Sequence, residues 1–243
     1  MKVLEFKNVY KDFCSNNTKL KVIDDISFSI EEGEIVAFTG PSGAGKSTIL
    51  NLISGLISPT KGKVWVNGKI GYMFQKDHLF EWKTIYKNVL LGLEIQRNKS
   101  PEAITQVERM LKEYGLWEFK DNYPSELSGG MRQRVALIRT LATSPDIILL
   151  DEPFASLDYL TKLKVSEDIY RIIKHEKKTT IMVSHDVSES ISLSDRIFVL
   201  SERPARIKKE IKIEIEATSP LKRRQVKQFQ NYFEEIWGAL NDE

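Results

Sequence analysis

The sequence predicts an α/β fold whose main sheet is mostly parallel. Short apolar runs with the length and composition of buried strands recur along the chain, at 34–40, 146–150, 179–184 and 196–200. Segments whose apolar residues have helical spacing lie between these runs, for example 46–54 and 161–175. Strands that alternate with helices in this way indicate a parallel sheet that is covered by helices on both faces.

The N-terminal part of the chain adds strands of another kind. Residues 3–9 and 22–30 alternate apolar and polar side chains, as half-buried strands do. The stretch KVWVNGKI at 63–70 predicts a β-hairpin in which Asn67 and Gly68 form a type I′ turn. We therefore expect β structure on both sides of the first buried strand.

Composition and charge restrict what the protein binds. With 243 residues, 41% of them hydrophobic and 29% charged, the chain suits one large domain or one domain with an insertion. Its 36 basic and 34 acidic residues give a net charge of +2, which provides no reason to expect a nucleic-acid partner. Cys14 is the single cysteine, so no internal disulfide forms and a reducing, cytosolic setting is favoured.

The sequence contains no segment that is typical of membrane insertion. Its first residues, MKVLEFKNVY, lack the apolar region of a signal peptide. No run of about 18 or more apolar residues occurs. We therefore expect that the chain does not span a membrane by itself, and that a partner holds it there if it acts at one.

A glycine-rich turn between the strand at 34–40 and the helix at 46–54 has the pattern of a phosphate-binding loop, G-x-x-x-x-G-K-[ST]. The ATP-binding candidates in and beside this turn are Gly40, Pro41, Ser42, Gly43, Ala44, Gly45, Lys46, Ser47 and Thr48. The glycines let several N–H groups point inward, and the helix N-terminus adds partial positive charge. Lys46 can reach the β- and γ-phosphates and the Ser47 hydroxyl can bind Mg²⁺, so the turn predicts ATP and Mg²⁺ as ligands.

Two carboxylates follow the buried strand at the end of IILLDE, residues 147–152. In open α/β sheets this end of a strand is where ligands bind. Asp151 is placed to hold Mg²⁺ through water, and Glu152 to orient or deprotonate an attacking water. A solvated acidic turn is the alternative reading, and the phosphate-binding loop elsewhere in the chain argues against it.

The stretch LSGGMRQR at 127–134 has the features of a second phosphate cradle. Ser128 offers a hydroxyl, Gly129 and Gly130 offer bare backbone N–H groups, and a helix follows. Ser128 also suits the role of helix cap, and the two roles are compatible.

These motifs, together with SLD and SHD, occur in the order and spacing of the ATP-binding cassette (ABC) ATPases, which the chain resembles from about residue 1 to residue 215. The resemblance implies a P-loop NTPase core, RecA-like and mostly parallel, at 1–76 and 141–215, with an N-terminal antiparallel β part. It also implies an inserted α-helical subdomain at 77–140, where residues 84–119 are largely helical in pattern. The segment 216–243 remains as a C-terminal amphipathic helix.

The resemblance explains why one chain carries two phosphate cradles. ABC ATPase subunits pair head to tail, and each ATP is held by the phosphate loop of one copy and the LSGG motif of the other. Ser128, Gly129 and Gly130 are therefore expected to contact the ATP that is bound by a second copy of the chain. Met131 departs from the glutamine that is most common after LSGG, so a polar contact from this side chain to the second copy is not expected from the resemblance, whereas the phosphate contacts of Ser128, Gly129 and Gly130 are.

Other site residues follow from the same resemblance. Gln75 is similar to the glutamine that senses Mg²⁺ and the attacking water, and His185 to the switch histidine that contacts the γ-phosphate. Asp158 is similar to the D-loop residue that touches the opposite active site. Phe13 aligns with the aromatic residue that stacks on adenine, while Tyr10 competes for this role and either ring can be core packing.

The resemblance also implies membrane partners. An ABC transporter ATPase binds integral-membrane permease subunits at the cytoplasmic face of the cell membrane, as a peripheral protein, and an importer works indirectly with an extracytoplasmic substrate-binding protein. Phe80 and Trp82 lie where the permease docks, and local packing is their alternative role. In the C-terminal helix, the apolar stripe over 221–240 either packs on the core or touches lipid.

The segment SERPARIKKEIKIEI at 201–215 resembles that of importers for nitrate, sulfonate and taurine. We expect a small sulfonate-like, taurine-like or nitrate-like cargo, with a thiamine-precursor pyrimidine or another small organic nutrient as the alternative. A soluble ABC ATPase without a transport role is the other functional class. The single compact cassette without long coiled-coil repeats argues against it.

Overall fold

The computed structural model describes residues 1–15 and 18–241. In these ranges the strands are β1 (Lys2–Ser15), β2 (Thr18–Glu31), β3 (Ile35–Thr39), β4 (Lys61–Val66), β5 (Ile70–Met73), β6 (Ile147–Asp151), β7 (Thr179–Ser184), β8 (Arg196–Leu200) and β9 (Ile207–Lys212). The helices are α1 (Lys46–Ile53), α2 (Ile85–Ile95), α3 (Pro101–Glu113), α4 (Gly129–Leu141), α5 (Tyr159–His175), α6 (Val187–Leu193), α7 (Pro220–Arg223) and α8 (Lys227–Asn241). This mixture of parallel and antiparallel strands with helices confirms the predicted α/β class.

The chain divides into two compact units. The first unit combines Met1–Gly68 with Lys178–Glu243, and the second unit is Lys69–Lys177. The predicted subdomain boundaries at 77 and 140 are a different division of the chain and stay a prediction.

The first unit contains a three-stranded antiparallel sheet in which β1 pairs with both β2 and β4. It also contains four strands in the order β7-β3-β8-β9, where β3 is parallel to β7 and to β8 while β9 is antiparallel to β8. Every residue of β3 is buried, as expected for a strand with neighbours on both sides.

A cluster of aromatic rings fills the core of the first unit. Phe28 stacks on Phe6 with ring centroids 4.5 Å apart, and it meets the edge of Phe38 at 5.0 Å. Phe38 in turn stacks on Phe198 at 5.1 Å. Each of these rings is at least nine-tenths buried, so burial of large apolar surface holds the strands together.

The second unit is mainly helical. Its strands β5 and β6 pair in parallel, and α4 packs on α2 and α5. Asn88 is fully buried in α2, and its amide nitrogen donates to the carbonyl oxygens of Phe80, Lys83 and Thr84. Its amide oxygen accepts from the N–H of Phe80. This one side chain therefore satisfies the polar backbone of the loop before α2.

The predicted hairpin over residues 63–70 is wrong. Strand β4 pairs with β1, whereas β5 pairs in parallel with β6. The amide of Asn67 donates to the carbonyl oxygen of Val3 at 2.9 Å, so the chain follows β1 through residue 67 and then leaves it at Gly68. The Asn-Gly pair marks this departure and does not form a turn between two paired strands.

The C-terminal helix begins later than the predicted 216. Pro220 starts the short α7, and the buried Arg223 at its end donates to the carbonyl oxygens of Ser192 and Ser194. Helix α8 follows from Lys227 to Asn241, and Asp242 and Glu243 lie outside the described residues. Ile236 of the apolar stripe is fully buried while Trp237 is 56% exposed, so the stripe is only partly covered.

None of the helices within the described residues is both long enough and apolar enough to cross a membrane.

Candidate functional site

The predicted phosphate loop joins β3 to α1 in the first unit. Gly43 and Gly45 have φ values of +77° and +105°, a backbone conformation that side chains disfavour. A Cβ atom added at Gly45 would also lie 3.0 Å from the Cγ1 atom of Val22. Glycine is therefore required at position 45 both by the curl of the loop and by the close approach of β2.

The loop has the chemistry of an anion site. Lys46 is only 6% exposed, and its ammonium group donates to the carbonyl oxygens of Gly40 at 2.8 Å and Pro41 at 2.9 Å. Helix α1 has no acidic residue in its first turn, and Gly45 offers no side chain to cap the helix. A buried ammonium group and a helix N-terminus without acidic residues fit phosphate groups, and the Ser47 hydroxyl next to them fits a hard cation.

Asp151 and Glu152 stand at the end of β6 in the second unit. The hydroxyl of Tyr72 donates to Oδ2 of Asp151 at 3.3 Å, and burial together with this carboxylate raises the pKa of Tyr72. Glu152 has a φ of +44°, which is strained for a residue with a long side chain. The backbone thus turns sharply where the predicted general base stands.

Gln75 is exposed just after β5, and side chains anchor the two residues that follow closely after it, Asp77 and His78. Arg139 donates to the carbonyl oxygens of Asp77 and His78, the former at 2.5 Å. Arg132 binds the carboxylate of Asp77 through two hydrogen bonds. Burial opposes ionisation of Asp77, but the hydrogen bonds from Arg132 and from the N–H of Leu79, together with the charges of Arg132 and Arg139, outweigh burial and lower the pKa of Asp77.

The LSGG motif forms the N-terminus of α4. Ser128 is the cap residue, and its hydroxyl accepts from the N–H of Met131 at 3.4 Å. A Cβ atom at Gly130 would lie 2.6 Å from Cγ2 of Val165, and one at Gly129 would lie 3.0 Å from Cδ2 of Leu157. The two glycines therefore let α4 pack closely on neighbouring residues, and Ser128 has the capping role that the sequence left open.

Asp158 and His185 both lie in exposed turns at the start of helices. Asp158 caps α5 and accepts from the N–H of Thr161 at 3.1 Å. Hydrogen bonds from the side chain and the backbone of Thr161 lower the pKa of Asp158. His185 directly follows β7 and precedes Asp186, the cap residue of α6. The exposure of both side chains suits contacts with a ligand or a partner.

The two candidates for adenine stacking differ in their surroundings. The ring of Phe13 is 39% exposed, and the Lys11 ammonium group lies 4.9 Å from its centroid. Tyr10 instead lines a polar cavity with Asp24, Asp25 and Arg206. An accessible apolar ring suits a stacked base, so the surroundings favour Phe13, and its role stays a prediction.

The predicted site residues are divided between the two units. The phosphate loop, Phe13 and His185 belong to the first unit, whereas Gln75, Ser128, Asp151, Glu152 and Asp158 belong to the second. Sequence reasoning missed four residues of the second unit that anchor its loops and the strand end at Asp151, namely Tyr72, Asp77, Asn88 and Arg132. Tyr72 has one recognisable signal, since it alternates with Phe74 on the strand that leads to Gln75.

Comparison with known proteins identifies similar chains. The family model described as ABC transporter matches residues 23–155. The uncharacterized ABC transporter ATP-binding protein YtlC of Bacillus subtilis is 43% identical over 99% of this chain and 96% of its own length. The taurine import ATP-binding protein TauB of Jannaschia sp. is 38% identical over 86% of this chain and 82% of its own.

A further relative and a solved structure are also similar to this chain. The formylaminopyrimidine import ATP-binding protein ThiZ of Halalkalibacterium halodurans is 43% identical over 83% of this chain and 81% of its own. A dimeric post-hydrolysis structure of the ATP-binding cassette MJ0796, bound to ADP and Pi, superimposes with a TM-score of 0.73 at 31% identity. That superposition covers 87% of this chain and 99% of the other. The same architecture in a solved cassette confirms the predicted P-loop core.

Proposed function

The chain belongs to the ABC transporter family and is an ATP-binding cassette ATPase, and we propose that it is the subunit that energises an importer. The observation that carries the proposal is the phosphate loop, in which the buried Lys46 lies beside two left-handed glycines at a helix N-terminus. Relatives named as import ATP-binding proteins are similar over more than four-fifths of the chain, and they support a role in import.

In the proposed reaction a water molecule attacks the γ-phosphorus of ATP and ADP leaves. Lys46 and the loop amides hold the phosphates and balance the charge that develops on their oxygens. Glu152 accepts the proton of the attacking water, Gln75 orients that water, and His185 donates to the γ-phosphate. Phe13 stacks on the adenine.

The residues fit a magnesium ion as the cofactor. Ser47 and Gln75 provide hydroxyl and amide oxygens as ligands, and the Asp151 carboxylate would hold the ion through water, all groups that suit Mg²⁺ in nucleotide sites. Bound Mg²⁺ supplies positive charge that neutralises the phosphates during the reaction.

A second copy of the chain completes the proposed ATP site. Ser128, Gly129 and Gly130 lie at the N-terminus of a 13-residue helix with no acidic residue in its first turn, a suitable place for a partner's γ-phosphate. Asp158, exposed at the start of α5, is proposed to touch the opposite site. The dimeric arrangement of the similar cassette bound to ADP and Pi supports this assembly.

Permease subunits are the proposed membrane partners, and they hold the chain at the cytoplasmic face of the cell membrane as a peripheral protein. Trp82 is 73% exposed, and its ring lies 4.9 Å from that of Phe80, next to the segment anchored by Asn88. An exposed tryptophan that contacts a half-buried phenylalanine suits a protein interface.

The proposed cargo is a small solute of the sulfonate, taurine or nitrate kind, delivered by an extracytoplasmic substrate-binding protein. The relative named for taurine import supports this choice, and the relative named for formylaminopyrimidine import supports a thiamine-precursor pyrimidine as the second candidate. A thermal-shift screen of the binding protein encoded beside this chain separates the two. Tight binding of a sugar or a long peptide would contradict both.

Phosphate release from ATP by the purified chain tests the enzymatic proposal. Hydrolysis that requires Mg²⁺ and is lost in Lys46→Ala supports it. Equal hydrolysis by wild type and by Lys46→Ala would refute the assigned site.

A further inference from the structure

Tyr72 and Asp151 lie on one face of a pair of parallel strands. In the register of β5 and β6, Tyr72 is opposite Leu149, so Asp151 stands two residues farther along the same face of β6. The Tyr72 side chain spans this diagonal, and its hydroxyl donates to Oδ2 of Asp151 at 3.3 Å. The hydroxyl of the half-buried Tyr72 thus has a carboxylate partner at the end of the neighbouring strand.

The ring of Tyr72 has a second contact on the same face. It stacks on the ring of Phe74, with centroids 4.3 Å apart and planes inclined by 18°. Phe74 directly precedes Gln75 in the chain. One side chain therefore touches Asp151 through its hydroxyl and supports the backbone at Gln75 through its ring.

We propose that Tyr72 is a positioning residue that holds Asp151 and Gln75 in the arrangement that Mg²⁺ requires. The inference rests on the proposed function, in which these two residues hold Mg²⁺, Asp151 through water. A carboxylate at the end of a strand can rotate about its side-chain bonds, and a hydrogen bond to one oxygen restricts that rotation. Hydrogen bonds of this kind to metal ligands typically change metal affinity by about 10- to 100-fold when they are removed.

The hydroxyl and the ring can be tested separately because they make different contacts. Tyr72→Phe removes the donor to Asp151 and keeps the stacking on Phe74. Phe74→Leu removes the stacking and keeps the hydroxyl. A matched control is Tyr86→Phe, since the Tyr86 hydroxyl also donates to a carboxylate, that of Glu108 at 3.0 Å, in the same unit.

The experiment titrates Mg²⁺ into the full-length chain with a fluorescent ATP analogue and records binding, without relying on turnover. Parallel samples in EDTA give the metal-free affinity, and thermal melts report folding. We expect Tyr72→Phe to raise the half-saturating Mg²⁺ concentration by about 10-fold with little change in metal-free affinity. Phe74→Leu is expected to raise the half-saturating Mg²⁺ concentration by a smaller factor. Tyr86→Phe is expected to leave this concentration unchanged.

The outcomes distinguish this inference from the proposed function. If wild type shows no Mg²⁺-dependent nucleotide binding, the proposed metal site itself fails. If wild type depends on Mg²⁺ and Tyr72→Phe melts at a lower temperature with the same Mg²⁺ dependence, Tyr72 is only a packing residue and the inference is overturned. An equal shift in Tyr86→Phe would overturn it as well.

Discussion

Arg132 and Asp77 form an ion pair with two hydrogen bonds, from Nε to Oδ2 at 2.9 Å and from Nη2 to Oδ1 at 3.2 Å. Both side chains are at least three-quarters buried. Arg132 belongs to α4, which begins with the LSGG glycines, and Asp77 lies two residues after Gln75. The pair therefore fixes the predicted metal-sensing segment to the helix that is proposed to bind the partner's ATP.

Replacing Arg132 by methionine should destabilise the protein by about 1–2 kcal/mol at neutral pH, because a paired and largely buried carboxylate loses its partner. Denaturant unfolding measures the change. Arg171→Met is the matched control, since Arg171 is 63% exposed and its ion pair with Asp168, at 3.3 Å, is open to solvent. An equal loss of unfolding free energy in both variants would show that the Arg132–Asp77 pair contributes no more to stability than an exposed ion pair.

The same pair predicts a pH dependence. Although burial favours the neutral acid, hydrogen bonds from Arg132 lower the pKa of Asp77. A carboxyl group with a lowered folded-state pKa stabilises the protein above its unfolded pKa, and this contribution is lost as the pH falls through the folded value. The stability difference between wild type and Arg132→Met should be full at pH 7 and shrink below about pH 4. If the stability difference between wild type and Arg132→Met grows as the pH falls, the lowered pKa of Asp77 in the folded protein is contradicted.

Glu152→Gln should keep ATP binding and slow hydrolysis by about 100-fold or more, because the amide keeps the shape of the side chain and loses the base. We also expect this variant to accumulate as an ATP-bound dimer, detectable by size-exclusion chromatography. Phosphate release near the wild-type rate would show that another group is the base.

Ser128→Arg should leave the ATP affinity of the single subunit nearly unchanged while abolishing ATP-driven dimerisation, because the phosphate loop of the same copy is untouched. Lys46→Ala should weaken ATP binding directly. Calorimetry on dilute protein measures both affinities. Equal loss of affinity in the two variants would contradict the assignment of Ser128 to a partner's nucleotide.

Phe13→Ala should weaken ATP binding by about 10-fold, in line with the 1–3 kcal/mol that stacking of a base on an aromatic ring contributes. Tyr10→Ala is the comparison, because Tyr10 lines a polar cavity and is not expected to stack on adenine. If Tyr10→Ala weakens binding and Phe13→Ala does not, the two roles must be exchanged.

Local patterns were sufficient to predict most of the strands and the phosphate loop. The run EIVAFTG predicts β3 because a fully buried parallel strand needs apolar residues on both faces. Glycine spacing predicts the loop, since positive φ is required at Gly43 and Gly45. Periodicity and turn chemistry are properties of neighbouring residues, and they can be recognised without knowing the fold.

Features that depend on distant partners could not be predicted in the same way. Asn67-Gly68 has the composition of a hairpin turn, yet the partner of β4 is β1, more than fifty residues earlier in the chain. Arg206 is paired with the buried Asp24, a residue 182 positions earlier in the chain. The contacts of Tyr72 and Arg132 likewise join residues 79 and 55 positions apart.

The most direct test of the account mixes two inactive variants in the background of Glu152→Gln. In a head-to-tail dimer, one copy with Lys46→Ala and one with Ser128→Arg leave one site with an intact phosphate loop and an intact LSGG motif. Sedimentation should show no ATP-driven dimer for either variant alone and a dimer in the mixture. A mixture that sediments as the sum of its separate components would contradict the claim that two copies of this chain share each ATP.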